Sequence, residues 1–282
     1  MRLASFSHRG RASYGIVVGD HLVDLGKQIG AQYPDLKAFL TAGPGLLDQL
    51  RSQTATIPVD DVVFLPVIPN PDKIFCAGLN YRSHVEETGR TESEKPVIFL
   101  RLAASQVGHG QPMVCPKVST QFDYEGELAV VIGKRGRHIS RDNALDYIAG
   151  YSCYNDGSLR DWQRHTSQWT PGKNFAATGA FGPWLVTADE IPDPTKLSLA
   201  TRLNGQTVQS ATVDLLIFSI PEIIEYVSAW SELIPGDVIA TGTPGGVGFK
   251  RNPPLLMKAG DTVEVEISGI GTLRNPIEDE RD

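Results

Sequence analysis

Two glutamates separated by a single glycine, Glu125 and Glu127, begin a continuous apolar run that ends at Ile132. Such a run is typical of a strand that is buried on both faces. Because side chains alternate along a strand, the two glutamates project to the same side, with Cα atoms about 6.6 Å apart. Both carboxylates can then converge on one cation, while Gly126 removes bulk from the opposite face. Two solvated acids at a strand edge would give the same pattern.

A third carboxylate, Asp156, directly follows a second apolar stretch over residues 147–155, which predicts another buried strand. Three carboxylates brought together repel one another and would be partly protonated near neutral pH without a cation. Oxygen ligands with room for water and substrate favour Mg²⁺, then Mn²⁺ or Ca²⁺. Zinc would prefer histidine or cysteine, and neither lies in this cluster.

A histidine and a glutamate, His84 and Glu87, are spaced three residues apart. If residues 83–88 form a helical turn, both side chains lie on one face and can form a hydrogen bond. A carboxylate raises the basicity of an imidazole and fixes its tautomer, which a water-activating base requires. A surface pair without a catalytic role would have the same spacing.

Two loops rich in glycine or proline carry further polar groups. Lys173 lies in the turn 170–175, where its ammonium could hold a substrate carboxylate or enolate, or could simply be solvated. The loop 241–248 follows a predicted strand, but it lacks the lysine of a phosphate-binding loop and opens no amphipathic helix. Its backbone N–H groups and a threonine hydroxyl could instead bind an anion.

The chain divides at a proline-dotted stretch between Pro58 and Pro71, which cannot lie inside a regular element. Before it, short strands at 2–7, 14–18 and 21–25 and helical periodicity at 36–40 and 46–51 predict a small N-terminal α/β domain, residues 1–66. After it, residues 67–282 form the main body.

The main body is rich in predicted strands. They cover residues 73–77, 97–100, 124–133, 147–155, 184–187, 197–203, 206–212, 237–241 and 262–268. Ser219 and Glu222 form a capping box before one helix, whose predicted apolar face is Ile223, Ile224, Val227 and Trp230. Strands outnumber helices and do not alternate with them, which predicts a mixed α+β, mainly β fold rather than a doubly wound sheet.

Composition excludes several classes of function. The 282 residues carry a net charge of −7, which argues against a nucleic-acid surface. No apolar run approaches the roughly 18–20 residues of a membrane span, and no signal-peptide core is present, so a cytoplasmic location is expected. Cys76, Cys115 and Cys153 are far apart, which predicts reduced thiols and neither a disulfide nor a zinc site.

Six segments in a fixed order, from about Lys73 to about Pro276, resemble the fumarylacetoacetate hydrolase family. They are Gly78–His84, Asp123–Gly133, Gly150–Asp156 with Arg160–Gln163, Gly172–Phe175, Phe181–Trp184 and Thr241–Gly248. The resemblance implies a β-sandwich-like roll with the active site at its mouth, and a homodimer.

The resemblance also implies residue roles. Glu125, Glu127 and Asp156 would be the metal ligands, His84 and Glu87 the water-activating dyad, and Lys173 a catalytic contact to the intermediate. The implied substrate-binding residues are Arg160, Gln163, Thr243, Tyr81 and Arg101. Relatives typically have Lys-Pro where this chain has Arg101-Leu102, and an acid where it has Ser83.

Members of that family chelate a 2-oxo acid or 1,3-dioxo unit on a metal and then diverge in chemistry. We expect Mg²⁺-dependent hydrolysis of a C–C bond in a 3-acylpyruvate or related 1,3-diketo acid, with the dyad delivering water. The alternative is an oxaloacetate-type decarboxylase or tautomerase, or an isomerase of an aromatic-degradation intermediate. A catalytically idle metabolite-binding module is disfavoured because all three metal carboxylates are present.

Overall fold

The computed structural model of the protein describes residues 1–281, in which strands dominate. The strands are β1 (Arg2–His8), β2 (Arg11–Val18), β3 (His21–Asp24), β4 (Ile57–Pro58), β5 (Val62–Phe64), β6 (Ile74–Gly78), β7 (Val97–Arg101), β8 (Gln106–Val107), β9 (Met113–Cys115), β10 (Phe122–Asp123), β11 (Gly126–Ile132), β12 (Ile148–Asn155), β13 (Ser158–Leu159), β14 (Gly179–Thr187), β15 (Ser198–Leu203), β16 (Gln206–Thr212), β17 (Val238–Ala240), β18 (Thr262–Ile267) and β19 (Gly271–Asp279). The α-helices are α1 (Leu25–Ile29), α2 (Leu36–Leu40), α3 (Pro44–Leu50), α4 (Arg82–Thr88), α5 (Arg160–Gln163), α6 (Thr170–Lys173) and α7 (Ile220–Trp230).

The largest element is a twelve-stranded mixed sheet with the order β4-β3-β2-β1-β14-β12-β11-β17-β6-β7, to which β5 and β8 add at β1 and β14. Its centre, β12 and β11, is fully or almost fully buried, as the apolar runs predict. At one side β1 pairs antiparallel with β14, placing Arg2 opposite Val186. The strands of the predicted N-terminal domain therefore extend the sheet of the main body, and the boundary at residue 66 stays a prediction.

A second, five-stranded sheet with the order β16-β15-β18-β19-β9 covers one face of the first. The core between the two layers joins Leu128 and Val130 of β11 to Leu199 of β15 and Val265 of β18. The second face of the large sheet packs on the N-terminal helices, through residues such as Phe39. This arrangement of two packed sheets with peripheral helices confirms the mixed, mainly β fold.

The predicted elements agree with the structure to within a few residues, but several short strands were not predicted. Strands β4 and β5 lie at the start of and within the proline-dotted stretch that was expected to hold no regular element, and β8, β9, β10 and β13 lie in the main body. Strand β19 was not predicted either; its residues 271–276 pair with β18 and its residues 277–279 pair with β9. Strand β14 begins at Gly179, five residues before the predicted start at Trp184. Trp230 is 51 % exposed rather than part of the buried face of α7, although its ring lies edge-to-face with that of Phe75 at 5.6 Å between centroids.

The close approach of the two sheets explains the glycine between the paired glutamates. A Cβ at Gly126 would lie 2.0 Å from the hydroxyl oxygen of Thr201 and 3.4 Å from Val265 of the facing sheet. Thr201 is fully buried, so it has no free space in which to move.

We therefore expect Gly126→Ala to lower the free energy of unfolding by about 1–3 kcal/mol through overpacking. Urea denaturation monitored by tryptophan fluorescence measures this. The matched control is Gly45→Ala in α3, where an added Cβ meets no atom within 4 Å and alanine is the better helix former. Equal stability of the two variants would contradict the close sheet contact.

Candidate metal-dependent active site

The three predicted metal ligands meet at one end of the central strands. Strands β11 and β12 run antiparallel with Gly126 opposite Asn155, so the residues just before β11 and just after β12 lie at the same edge. The backbone N–H of Asp156 donates to the carbonyl of Glu125 at 2.9 Å, which fixes this register. One carboxylate oxygen each from Glu125, Glu127 and Asp156 lies within 4.8 Å of the others, and all three residues are buried.

Two buried cations that line the adjacent cavity contact two of these three carboxylates, Glu125 and Asp156. The Lys173 ammonium donates to Glu125 Oε2 at 2.8 Å and to Asp156 Oδ2 at 2.6 Å. The Arg160 guanidinium binds Glu125 Oε1 through Nη1 at 2.6 Å and Asp123 Oδ2 through Nε at 2.8 Å. Burial alone would lower the pKa of Lys173, but Asp156 and Glu125 outweigh it and raise that pKa. The ammonium therefore stays charged.

The charges of the cluster do not balance. Four buried carboxylates face three buried cations: Asp123, Glu125, Glu127 and Asp156 against Arg101, Arg160 and Lys173. Within residues 1–281 the unmatched acid is Glu127, whose partner is the backbone N–H of Gly242 at 2.8 Å. Burial, then Asp156 and Glu125, raise the pKa of Glu127 well above its ordinary range. By contrast, Lys173 and Arg160 overcome the effect of burial on Glu125 and lower its pKa.

This imbalance fits a hard divalent cation. Three buried carboxylate oxygens, with neither cysteine nor histidine in the group, are the donors that Mg²⁺, Mn²⁺ or Ca²⁺ prefer. The residues that would hold such an ion are Glu125, Glu127 and Asp156. With two positive charges added, an excess of one negative charge becomes an excess of one positive charge. The filled cluster would therefore attract an anion.

The predicted histidine–glutamate pair forms on the opposite wall. His84 Nδ1 lies 2.8 Å from Glu87 Oε1 on helix α4, which confirms the predicted helical turn. The other Glu87 oxygen accepts the backbone N–H of Gly246 at 2.8 Å, and Ser83 Oγ accepts that of Gly245 at 3.0 Å. The glycine-rich loop therefore fixes the carboxylate, which in turn fixes the ring. If Nδ1 carries the proton, Nε2 is the free basic atom.

A cavity of about 150 Å³ separates the dyad from the carboxylates. Seven of the predicted site residues line it: His84, Glu125, Glu127, Arg160, Gln163, Lys173 and Thr243. Gln163 accepts a hydrogen bond from Arg160 Nη1 at 3.0 Å, so it steadies the guanidinium. The Thr243 hydroxyl donates to the carbonyl of Gly126 at 3.0 Å. Lys173 lies in the one-turn helix α6 rather than in an irregular turn.

Two predicted substrate contacts, Arg101 and Tyr81, do not line this cavity. Arg101 is fully buried behind the site, where Nη1 contacts Asp156 Oδ1 and the carbonyl of Gly157 and Nη2 donates to Thr178. Its long side chain reaches Asp156, one of the predicted metal ligands, and does not line the cavity. Tyr81 is buried at the start of α4, where it forms an isolated β-bridge with Leu216 and lines a different surface pocket.

Several residues of the site escaped the sequence analysis. Asp123 anchors the Arg160 guanidinium and accepts the backbone N–H groups of Gly248 and Phe249. Its place directly before the Glu125 strand was the signal that could have identified it. Six further cavity residues come from separate segments without a shared motif: Arg90, Phe99, Arg164, Trp169, Phe249 and Lys250.

The comparison with known proteins decides the family. The profile of the fumarylacetoacetate (FAA) hydrolase C-terminal family matches residues 73–278, which include every residue of the cluster and the dyad. The chain belongs to the fumarylacetoacetate hydrolase family. Among the described residues no helix is long and apolar enough to cross a membrane.

Relatives within the fumarylacetoacetate hydrolase family differ in reaction. The mitochondrial oxaloacetate tautomerase Fahd2a of Rattus norvegicus is 39 % identical over 265 residues, 92 % of this chain and 85 % of its own. Among solved structures, the 5-carboxymethyl-2-hydroxymuconate delta-isomerase of Mycobacterium smegmatis superposes with a TM-score of 0.79 at 33 % identity, over 100 % of both chains. The maleylpyruvate hydrolase of Sphingobium sp. SYK-6, in complex with manganese(II) ion and pyruvate, superposes with a TM-score of 0.84 at 30 % identity, again over 100 % of both chains. The protein is therefore an enzyme of a family that contains tautomerases, isomerases and hydrolases.

The unequal pairing of the two glutamates leads to a prediction for the metal-free protein. Glu125→Gln should lower the free energy of unfolding by about 2–3 kcal/mol, because it leaves Lys173 and Arg160 buried with an unmatched charge. Glu127→Gln should leave stability unchanged or raise it, because it removes the uncompensated carboxylate. Both variants should lose affinity for Mg²⁺ in calorimetric titration. Equal destabilisation by the two changes in the presence of a chelator would argue against the charge imbalance.

Proposed function

We propose that the protein catalyses the keto–enol tautomerisation of a small 2-oxo acid, with Mg²⁺ or Mn²⁺ held by Glu125, Glu127 and Asp156. The observation that carries the proposal is that His84, whose Nδ1 pairs with Glu87, lines the same small cavity as Glu125 and Glu127 of the carboxylate cluster. The cavity volume of about 150 Å³ lies below the roughly 300–1,000 Å³ of pockets for drug-sized ligands. The substrate is therefore a compound of a few carbons.

The reaction requires one proton to leave C3 of the 2-oxo acid and one proton to reach the carbonyl oxygen. The electron pair of the C3–H bond becomes the second bond between C2 and C3, while the second pair of the C2–O bond moves onto the oxygen that takes up the proton. The reverse reaction returns both pairs. His84 Nε2 accepts or delivers the C3 proton, and the Glu87 carboxylate at Nδ1 stabilises the imidazolium. The bound divalent cation would supply electrostatic stabilisation of the negative charge on the carbonyl oxygen. Lys173 uses two of its three N–H donors on carboxylates and keeps one for the substrate oxygen.

Oxaloacetate is the first substrate to test, because the rat relative of 39 % identity is named for its tautomerisation. The expected C–C bond hydrolysis is the second candidate. The maleylpyruvate hydrolase superposes on the whole chain, and the same dyad could activate a water molecule. Tautomerisation is preferred because of the size of the cavity. Hydrolysis would require room for a longer diketo acid and an attacking water molecule together, whereas tautomerisation requires room for the 2-oxo acid alone.

We also propose that the protein is a homodimer, as the family resemblance implies. Size-exclusion chromatography with light scattering measures the molar mass that tests this. The cytoplasmic location also remains a prediction from the sequence, since the rat relative is named as mitochondrial.

His84→Ala should lower kcat for the ketonisation of enol-oxaloacetate by about 10²–10⁴-fold, the usual contribution of a general base. Its affinity for Mg²⁺ should stay within about twofold of the unchanged protein, because no metal ligand is altered. Loss of the ultraviolet absorbance of the enol follows the reaction. The control is His21→Ala, at an exposed histidine whose recorded partner is the neighbouring Asp20.

Full ketonisation by the His84→Ala variant would contradict the role of the dyad. Release of pyruvate from an acylpyruvate by the unchanged protein, without ketonisation of enol-oxaloacetate, would instead establish hydrolysis.

A further inference from the structure

One wall of the cavity gathers three cations around a single aromatic ring. The guanidinium carbon of Arg160 lies 4.4 Å from the centre of the Phe249 ring, and that of Arg164 lies 5.7 Å away. The Lys250 ammonium lies 5.4 Å from the same point. All four residues line the cavity. The negative face of an aromatic ring attracts each cation, so this ring allows like charges to collect at one wall.

Two of these cations, Arg164 and Lys250, are not matched by acids among the described residues. Arg164 donates to the amide oxygen of Gln121 at 2.8 Å, and neither Arg164 nor Lys250 has an ion-pair partner within residues 1–281. Arg160 binds two carboxylates, yet its Nη2 is buried without a hydrogen-bond partner. Buried donors of this kind normally have one. The wall therefore offers unused donors and positive charge toward the cavity.

The position of this wall relates it to the carboxylate cluster. Arg160 Nη1 contacts the metal ligand Glu125 at 2.6 Å, so the wall starts at the cluster. It then extends past Phe249 to the exposed side chains of Arg164 and Lys250 at the cavity mouth. A short substrate with its 2-oxo acid end at the cluster would bring its other end against these two residues.

We propose that Arg164 and Lys250, aided by the free Nη2 of Arg160, bind a second carboxylate at the far end of the substrate, which makes the substrate a short 2-oxo dicarboxylic acid. The inference rests on the proposed function in one respect, that the 2-oxo acid end lies at the carboxylate cluster. A carboxylate suits this wall because its two oxygens can accept hydrogen bonds from the Arg164 guanidinium and the Lys250 ammonium at the same time. Arg164 and Lys250 are then specificity-determining residues and take no part in proton transfer.

The test compares oxaloacetate with its 4-methyl ester, which has the same chain but no charge at the far end. For the Mg²⁺-loaded protein, Lys250→Gln and Arg164→Gln should each raise KM for oxaloacetate by about five- to tenfold. The value of kcat should stay within about twofold, because the base and the metal ligands are unaltered. KM for the ester should change by less than about twofold, and this activity also shows that the variants are folded. The control is Lys258→Gln, which removes an exposed lysine that is not part of the cavity lining.

Measurements of ligand binding without turnover test this inference separately from the proposed reaction. Trp169 lines the cavity, so quenching of tryptophan fluorescence reports occupancy without turnover. A preference for oxaloacetate over the ester that is lost in the Lys250→Gln and Arg164→Gln variants supports the inference, even if no tautomerisation is detected. Equal affinity of the unchanged protein for diacid and ester, or binding of neither, overturns it. Tautomerisation of both compounds with equal KM would overturn the inference while leaving the proposed function intact.

Discussion

The site depends on the uncompensated negative charge of Glu127, a buried carboxylate that is not paired with any of the three buried cations. Glu125 and Asp156 are neutralised by Lys173, Arg160 and Arg101, whereas Glu127 has a single backbone donor. Keeping an ionised carboxylate in such a place is costly unless it is paired. A divalent cation would remove that cost, and it would also give the cavity the excess positive charge that the proposed 2-oxo acid anion requires. The same bound ion would therefore stabilise the buried carboxylates and attract the proposed substrate.

The fold brings the carboxylates together through the register of strands β11 and β12. The antiparallel pairing of β11 and β12 places Glu125 beside Asp156, and the small volume of Gly126 lets the second sheet close over the other face. The loop that follows β17 serves both halves of the site. Gly242 binds Glu127 while Gly246 binds Glu87, so one glycine-rich segment positions a metal ligand and the carboxylate of the base.

The spacing of residues in the sequence correctly predicted the geometry of those site residues that lie close together along the chain. Alternation along a buried strand placed Glu125 and Glu127 on one side, and helical spacing paired His84 with Glu87. Long-range geometry was not predicted. No periodicity reveals that Arg101 contacts Asp156, or that Tyr81 lines a second pocket. The cations around Phe249 come together only through folding, because Arg160 and Lys250 are ninety residues apart.

The most direct test is the rate of ketonisation of enol-oxaloacetate by one sample of protein before chelation, after chelation and after return of Mg²⁺. If Glu125, Glu127 and Asp156 hold the ion that the reaction needs, chelation should reduce the rate to that of the uncatalysed reaction, and Mg²⁺ should restore it. A chelated protein that keeps its full rate would contradict a metal-dependent site at these three carboxylates.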